Sequence, residues 1–520
     1  MKMKRFGLLL TLAATLTYAQ GLTEIRKVNG FDRLMVDGKP IVLLSGELHN
    51  STSSTSASLD AAMCATKAMG LNSLIVSVAW EQIEPSEDTF DFSCVDNILA
   101  ASEKYEMPLT LIWFGTWKNG ESSYPPVWVK RDFVRFFRAE AADGTPTNTI
   151  SPFCEAACKA DAKAFARLMA YIRDNDKKRW IQVIQVENEI GVFLDRDHCK
   201  SANKSYKGEP NAEFMAKAYA RYINKVAKAG KKELALPMYA NCWLPEGAKT
   251  GEYPLGGPSP ELLRIYQQEA PEIDFLSPDI YADDFRGYCA KYSAPDNLLF
   301  IPESQRVAGL AYYAFGEQNA QCYSPFAIED IYNDPYLLGE YRTLGELLPT
   351  IARLQCTGRM HGFVRQKGDK DESTSFTFDG VRFTVHYISG ERHAHGLVAQ
   401  VAPDEYICAG VGAWITIEES NPDSPTRPTI GYAEEVEWKD GDWSTKVVMN
   451  GDQTFNNRLL YLRGRMTNEP YREKDFDIPA PWTDVSHQRI FWKEWQNRYK
   501  VSGIYRIKLY DGPKVTTKFP

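Results

Sequence analysis

Between residues 40 and 330 one pattern recurs: a short β-branched or apolar run ends in polar or aromatic residues, and an amphipathic helical stretch follows. The runs are IVLLSGELH (41–49), LNSLIVSVAW (71–80), PLTLIWFG (108–115), WIQVIQVENE (180–189), LALPMYANCW (234–243), IDFLSPDIY (273–281), NLLFIPES (297–304) and NAQCYSPFAI (319–328). Stretches such as ASLDAAMCATKAMG and DAKAFARLMAYIRDN fill several of the gaps. Eight strands alternating with helices predict an α/β chain of the (β/α)8 TIM-barrel class. An open doubly wound sheet competes for the same pattern, but no Gly-rich phosphate turn follows its first strand.

The helix expected over DPYLLGEYRTLGELLPTIARLQ (334–355) would close the barrel. Beyond it the texture changes to short alternating runs, such as TSFTFDGVRFTVHYI and EYICAGVGAWITI, separated by Gly, Asn, Asp and Pro. These predict a sandwich-like all-β domain. The expected division is a signal segment over 1–19, a catalytic barrel over 20–358 and a β-rich domain over 359–520. No low-complexity linker separates the last two, so they are expected to pack together.

The signal reading rests on MKMKRFGLLLTLAATLTYAQ, where a basic start precedes an apolar run and small residues stand at Thr17 and Ala19. That run is too short to span a bilayer, so the expectation is a secreted or periplasmic protein without membrane insertion. A hydrophobic fraction of 44% with 25% charged residues suits a globular chain. A net charge of −8 without a long basic run argues against nucleic-acid partners. The ten cysteines are scattered without a C-x-x-C pair, and most are expected to be small buried residues. Oligomeric state is not legible.

Barrel enzymes carry catalytic groups at the C-terminal ends of their strands. The fourth run ends in Glu187, Asn188 and Glu189, and the seventh places Glu303 at the same rim. Two carboxylates facing each other across a barrel mouth match glycoside hydrolysis, where one must be protonated and the other ionised. In a regular strand Glu187 and Glu189 share one face and Asn188 takes the other. For Asn188 and Glu189 both to reach a substrate, the strand end must bulge or turn.

QVENEIG closely resembles the QVENEYG motif of glycoside hydrolase family 35, β-galactosidases of a retaining (β/α)8 clan. GLNSLIVSVAWEQIEP and SGELH resemble that family's second and first strand segments, and the whole pattern resembles its bacterial branch with an extra C-terminal domain. The resemblance implies that Glu189 is the general acid/base and Glu303 the nucleophile. It also implies that Asn188 binds the sugar 2-hydroxyl and that Tyr281 hydrogen-bonds the nucleophile. The chain departs from better-known members at Ser77, where many carry a galactose-contacting tyrosine, and at WFGTW, where they carry CAEW. Those departures leave the catalytic reading and weaken the galactose reading.

Trp113, Trp117 and Trp243 stand at or beyond strand ends, where they would either stack on sugar faces or fill core. Glu47, His49, Glu81, Lys118 and Asn119 are rim candidates for sugar hydroxyls, with Glu317 and Asn319 behind them. His393 and His395 have an H-x-H spacing, near His386, but no acid or cysteine constellation accompanies them, and no metal or cofactor is expected. The expectation is a secreted retaining exo-β-glycosidase acting on an oligosaccharide or polysaccharide, most readily a β-galactosidase on side chains such as those of xyloglucan. Another β-linked sugar, or a barrel that binds glycans without cleaving them, are the alternatives.

Overall fold

The structure is a computed structural model that describes residues 21–388, 394–451, 453–454, 457–464 and 501–514. The signal segment and His393 lie outside the described residues. Each of the eight runs contains a strand: Leu43–Leu44, Leu74–Ala79, Leu109–Lys118, Ile181–Asn188, Met238–Trp243, Phe275–Ile280, Phe300–Ser304 and Cys322–Pro325. All pair in parallel, and the eighth strand returns to the first. Glu47 closes the ring, forming parallel bridges both to Ile75 of the second strand and to Phe326 after the eighth.

The parallel strands are buried on both faces, which is why they read as near-continuous apolar runs. Their inward side chains, including Ile75, Ile112, Val183, Tyr239, Phe275 and Phe300, fill the barrel interior. Leu34, from an N-terminal hairpin of Thr23–Val28 and Phe31–Val36, plugs that interior core. Outward side chains such as Val76, Leu111, Ile184 and Leu276 pack against the helices in a second core. The closing helix, Pro335–Leu354, starts with Asp334 accepting from the backbone N–H groups of Tyr336 and Leu337, the N-cap arrangement.

The C-terminal domain is one antiparallel network of nine strands. Its long strand Glu405–Glu419 pairs with His395–Ala402 and Gly503–Pro513 along its first half, and with Val381–Tyr387 and Leu459–Arg463 along its second. The two domains share a core: Met360, Leu397, Ala399, Ile407 and Ile504 belong to the same apolar cluster as the barrel helices. At the junction Glu340, fully buried, accepts from the Tyr312 hydroxyl at 2.8 Å and the Ser502 amide at 2.7 Å, and it pairs with His395 at 3.4 Å. His395 therefore serves domain packing. Among the described residues no helix is long and apolar enough to cross a membrane, and all ten cysteines are unpaired, nine of them buried.

Candidate active site

The end of the fourth strand is irregular in the way its sequence requires. Glu187 and Glu189 both have positive φ, 64° and 47°, with Asn188 between them. Pairing with the third strand slips between Trp113 and Lys118, a bulge that brings Lys118 opposite Asn188. The first kink turns the Glu187 carboxylate away from the mouth. It accepts from the backbone N–H groups of Thr116 (3.0 Å) and Trp117 (2.7 Å) and lies against Asp161 of the helix Glu155–Asn175. Gly115 is required beside it, because a Cβ there would sit 2.4 Å from the Trp113 indole nitrogen and 2.7 Å from Glu187 Oε1.

That turn leaves Asn188 and Glu189 facing the mouth. The Asn188 Oδ1 accepts from Gln185 (2.9 Å) and Asn241 (3.1 Å), and its Nδ2 donates to Asn119 Oδ1 (3.1 Å). The Glu189 backbone N–H donates to Asn241 Oδ1 at 2.9 Å. Glu303 stands next to last in the seventh strand, and the Tyr281 hydroxyl donates to it at 2.5 Å. One carboxylate oxygen from each of Glu189, Asp279 and Glu303 lies within 4.8 Å of the others. The trio is all oxygen, without histidine or cysteine, a donor set softer metals do not prefer.

The electrostatics separate the two acids. Burial, and then the neighbouring Glu303 charge, push the Glu189 carboxyl up to about 8, against the pull of Lys118 and a hydrogen bond with Asp279. Burial also raises Glu303, but the Tyr281 hydrogen bond and the Lys118 ammonium oppose it. Desolvation outweighs these two stabilising partners, and the Glu303 carboxyl stays above its ordinary range. Glu47, buried beneath the same mouth, is raised well above the carboxylate range by burial and by the Glu303 charge.

Other candidates divide. Tyr281 and Trp243 stay accessible, 43% and 39% exposed, and Trp243 stands edge-on to Phe193. Of the two readings open for Trp113 and Trp117, the structure gives core and not substrate binding: both are fully buried, with their indole N–H groups donating to Asp161 and to the Ile150 carbonyl. They belong to the layer between strands and helices, the face opposite the mouth. Glu317 and Asn319 are corrected, since they precede the eighth strand and sit away from its C-terminal end. Glu317 pairs with His361 at 2.9 Å, and Asn319 accepts from the Cys356 amide. His49 pairs with Asp330, and Glu81 with Lys130. Ser77 Oγ donates to the Asn50 carbonyl at 2.9 Å.

Sequence reasoning missed Asn241, Asp279, Gln185 and Glu329. The first two stand at ends of the fifth and sixth strands, so the rule that found Glu189 also points to them. Glu329, which accepts from His49 N–H and Thr52 Oγ1, follows the eighth strand and carries no such signal. A groove of about 550 Å³ opens beside the mouth, lined by Ala282 and Gln305 from the barrel and by Arg365, Lys367 and Asp369 from the C-terminal domain.

Residues 50–233 match the Glyco_hydro_42 family model, described as beta-galactosidase, and residues 337–460 match a domain of unknown function, DUF5597. The first match takes in Asn188 and Glu189. It is a β-galactosidase family of a TIM-barrel clan, and it replaces family 35 as the family to which the sequence is similar. No curated protein matches the sequence significantly. Among solved structures, the chain is similar to β-galactosidases from Rahnella sp. R3 and Bacillus circulans sp. alkalophilus. The first has 15% identity and a TM-score of 0.46, over 62% of this chain and 58% of that one. The second has 14% identity and a TM-score of 0.46, over 61% and 57%. A β-amylase catalytic domain from Paenibacillus polymyxa aligns at 11% identity and a TM-score of 0.41, over 54% of this chain and 91% of its own. Such distant likenesses say nothing of substrate.

Proposed function

We propose that this glycoside hydrolase is a secreted, retaining exo-β-glycosidase whose first substrate class is the terminal β-galactoside of an oligosaccharide or of a polysaccharide side chain such as xyloglucan's. The observation that carries the mechanism is the approach of Glu189 and Glu303 oxygens to within 4.8 Å. Retaining pairs stand roughly 5–5.5 Å apart, whereas inverting pairs leave about 6.5–9.5 Å for a water.

Glu189, protonated at neutral pH, gives its proton to the departing glycosidic oxygen while ionised Glu303 attacks the anomeric carbon. The Tyr281 hydroxyl holds Glu303 for in-line attack and favours its charge. Asn188, fixed by Gln185, Asn241 and Asn119, presents its amide to the sugar 2-hydroxyl. Glu189, now ionised, then takes a proton from the water that cleaves the glycosyl–Glu303 ester. Trp243 offers an exposed apolar face to a sugar ring, and Glu47 and Asn119 offer polar groups to its hydroxyls. The segment over 1–19 supports export.

The sugar is the less constrained half of the reading. The family similarity favours galactose, while Ser77 and WFGTW favour a sugar bound by other contacts. Aryl β-galactoside, β-glucoside, α-arabinoside and β-glucuronide substrates separate the two, assayed with wild type and with Glu303→Ala in the presence and absence of azide. Galactoside turnover that Glu303→Ala abolishes and azide rescues supports both sugar and mechanism. Rescue on a different glycoside keeps the mechanism and replaces the sugar. Glycan binding without turnover on aryl or natural substrates would overturn the enzymatic reading.

A further inference from the structure

Asp279 stands next to last in the sixth barrel strand, opposite Glu303 in register and 2% exposed. Its Oδ2 accepts from Asn241 Nδ2 at 2.7 Å. The other oxygen, Oδ1, is buried and has no N–H or O–H donor among the described residues. The Asp279 carboxyl instead faces the Glu189 carboxyl, with an oxygen of each within 4.8 Å of the other. Asn241 has nothing left to offer that oxygen. One of its amide hydrogens goes to Asp279 and the other to Asn188, while its carbonyl takes the Glu189 amide.

With the Glu189 proton directed at the leaving oxygen, an ionised Asp279 would bury one oxygen without a donor, against two further carboxyl groups. The groups facing it from the surrounding elements add no compensating charge. They are Glu47 after the first strand, Glu189 after the fourth, Tyr239 on the fifth, Tyr281 after its own strand, Tyr292 on the helix Phe285–Tyr292 and Glu303 on the seventh. The nearby ammonium, Lys118, donates to Asn119 at 2.6 Å. A neutral acid removes that conflict: Asp279 still accepts from Asn241 on Oδ2, and its carboxyl gains an O–H to donate to the neighbouring Glu189 carboxyl.

We propose that Asp279 is a positioning residue that remains a neutral carboxylic acid and donates its hydrogen bond to Glu189. The hydrogen bond steadies the carboxylate that Glu189 becomes when its proton goes to the leaving oxygen, and it fixes the orientation in which Glu189 takes a proton back from water. Asp279 itself neither gains nor loses a proton in the cycle. The proposal rests on the reading of Glu189 as the acid/base.

The test is the pH dependence of kcat/KM on aryl glycosides with good and poor leaving groups, for full-length Asp279→Asn and Asp279→Leu. Asparagine reproduces the neutral acid, its carbonyl accepting from Asn241 and its amide donating to Glu189. It is expected to keep the wild-type alkaline limb and most of the rate. Leucine has no donor, so that limb is expected to rise by about one to two pH units, with the larger rate loss on poor leaving groups. An alkaline limb that moves down in Asp279→Asn would show an ionised Asp279 and overturn the proposal. So would an Asp279→Leu protein that is slower at every pH with its limb unmoved. If the leucine variant does not fold, the ¹³C carboxyl shift of Asp279 in the wild type decides. A protonated value across the active range is expected, and an ionised value overturns the assignment. Absence of any glycoside turnover by the wild type would count against the proposed function, and the ¹³C measurement would still read Asp279.

Discussion

Glu189 and Glu303 share a residue type and a rim, yet their surroundings assign them different protonation states. Glu189 is buried beside another acid's charge and is pushed up to about 8, so it holds its proton at neutral pH. Glu303 is raised by burial as well, but it receives a hydroxyl donor and faces Lys118, both of which favour its ionised form. Activity is therefore expected to fall above pH 8, as Glu189 loses the proton the leaving group needs, and to fall on the acid side as Glu303 takes one up. Tyr281→Phe removes the donor to ionised Glu303. Its carboxyl then titrates higher, so the acid limb of kcat/KM is expected to move to higher pH, with a loss of roughly ten- to a hundredfold. A pH–rate profile of the variant checks both, and an unmoved acid limb would count against the nucleophile assignment.

At the scale of elements, the catalytic face depends on how the fourth strand ends. Two positive-φ residues turn Glu187 outward onto the Thr116 and Trp117 amides and so release Asn188 and Glu189 inward. Gly115→Ala puts a methyl into the space that Trp113, Glu187 and Asp161 already fill. Denaturant unfolding is expected to show a loss of about 1–3 kcal/mol, with activity falling further because the same contact sets the strand end. The need for that turn was legible in the sequence, since a regular pleat cannot aim adjacent residues the same way. The direction of Trp113 and Trp117 was not. A strand buried on both faces shows no alternation to separate the side facing the barrel interior from the side facing helices. Position alone placed both tryptophans at the rim, and only the bulge at Trp113–Lys118 reveals their packing. Asp279 and Asn241 carried the same strand-end signal as Glu189, but what makes them matter is their pairing across neighbouring strands, which one strand's sequence does not display.

The whole molecule is held together by a continuous core and by one buried polar cluster. At the junction, burial works to raise the Glu340 carboxyl, but His395, Tyr312 and Ser502 outweigh it and hold the carboxyl below its usual range. Glu340→Ala removes the buried carboxylate that His395, the Tyr312 hydroxyl and the Ser502 amide all face and is expected to cost about 3–5 kcal/mol, read as a lower unfolding midpoint for the full chain. The mouth works the other way. Glu47, Glu189 and Asp279 are all raised by burial, so the folded chain binds more protons than the unfolded one between the ordinary carboxylate range and pH 8. Their contribution is fully present below that window and is lost as pH rises through it. The Tm is expected to fall from pH 5 to pH 8, and Glu189→Gln is expected to flatten that slope. The pairing of Glu189 with Glu303 is tested most directly by following the anomeric configuration of the first-released sugar by ¹H NMR during hydrolysis of a β-glycoside. The account predicts the β-anomer first, with the α-anomer appearing only as mutarotation proceeds. Initial release of the α-anomer would contradict a covalent intermediate on Glu303.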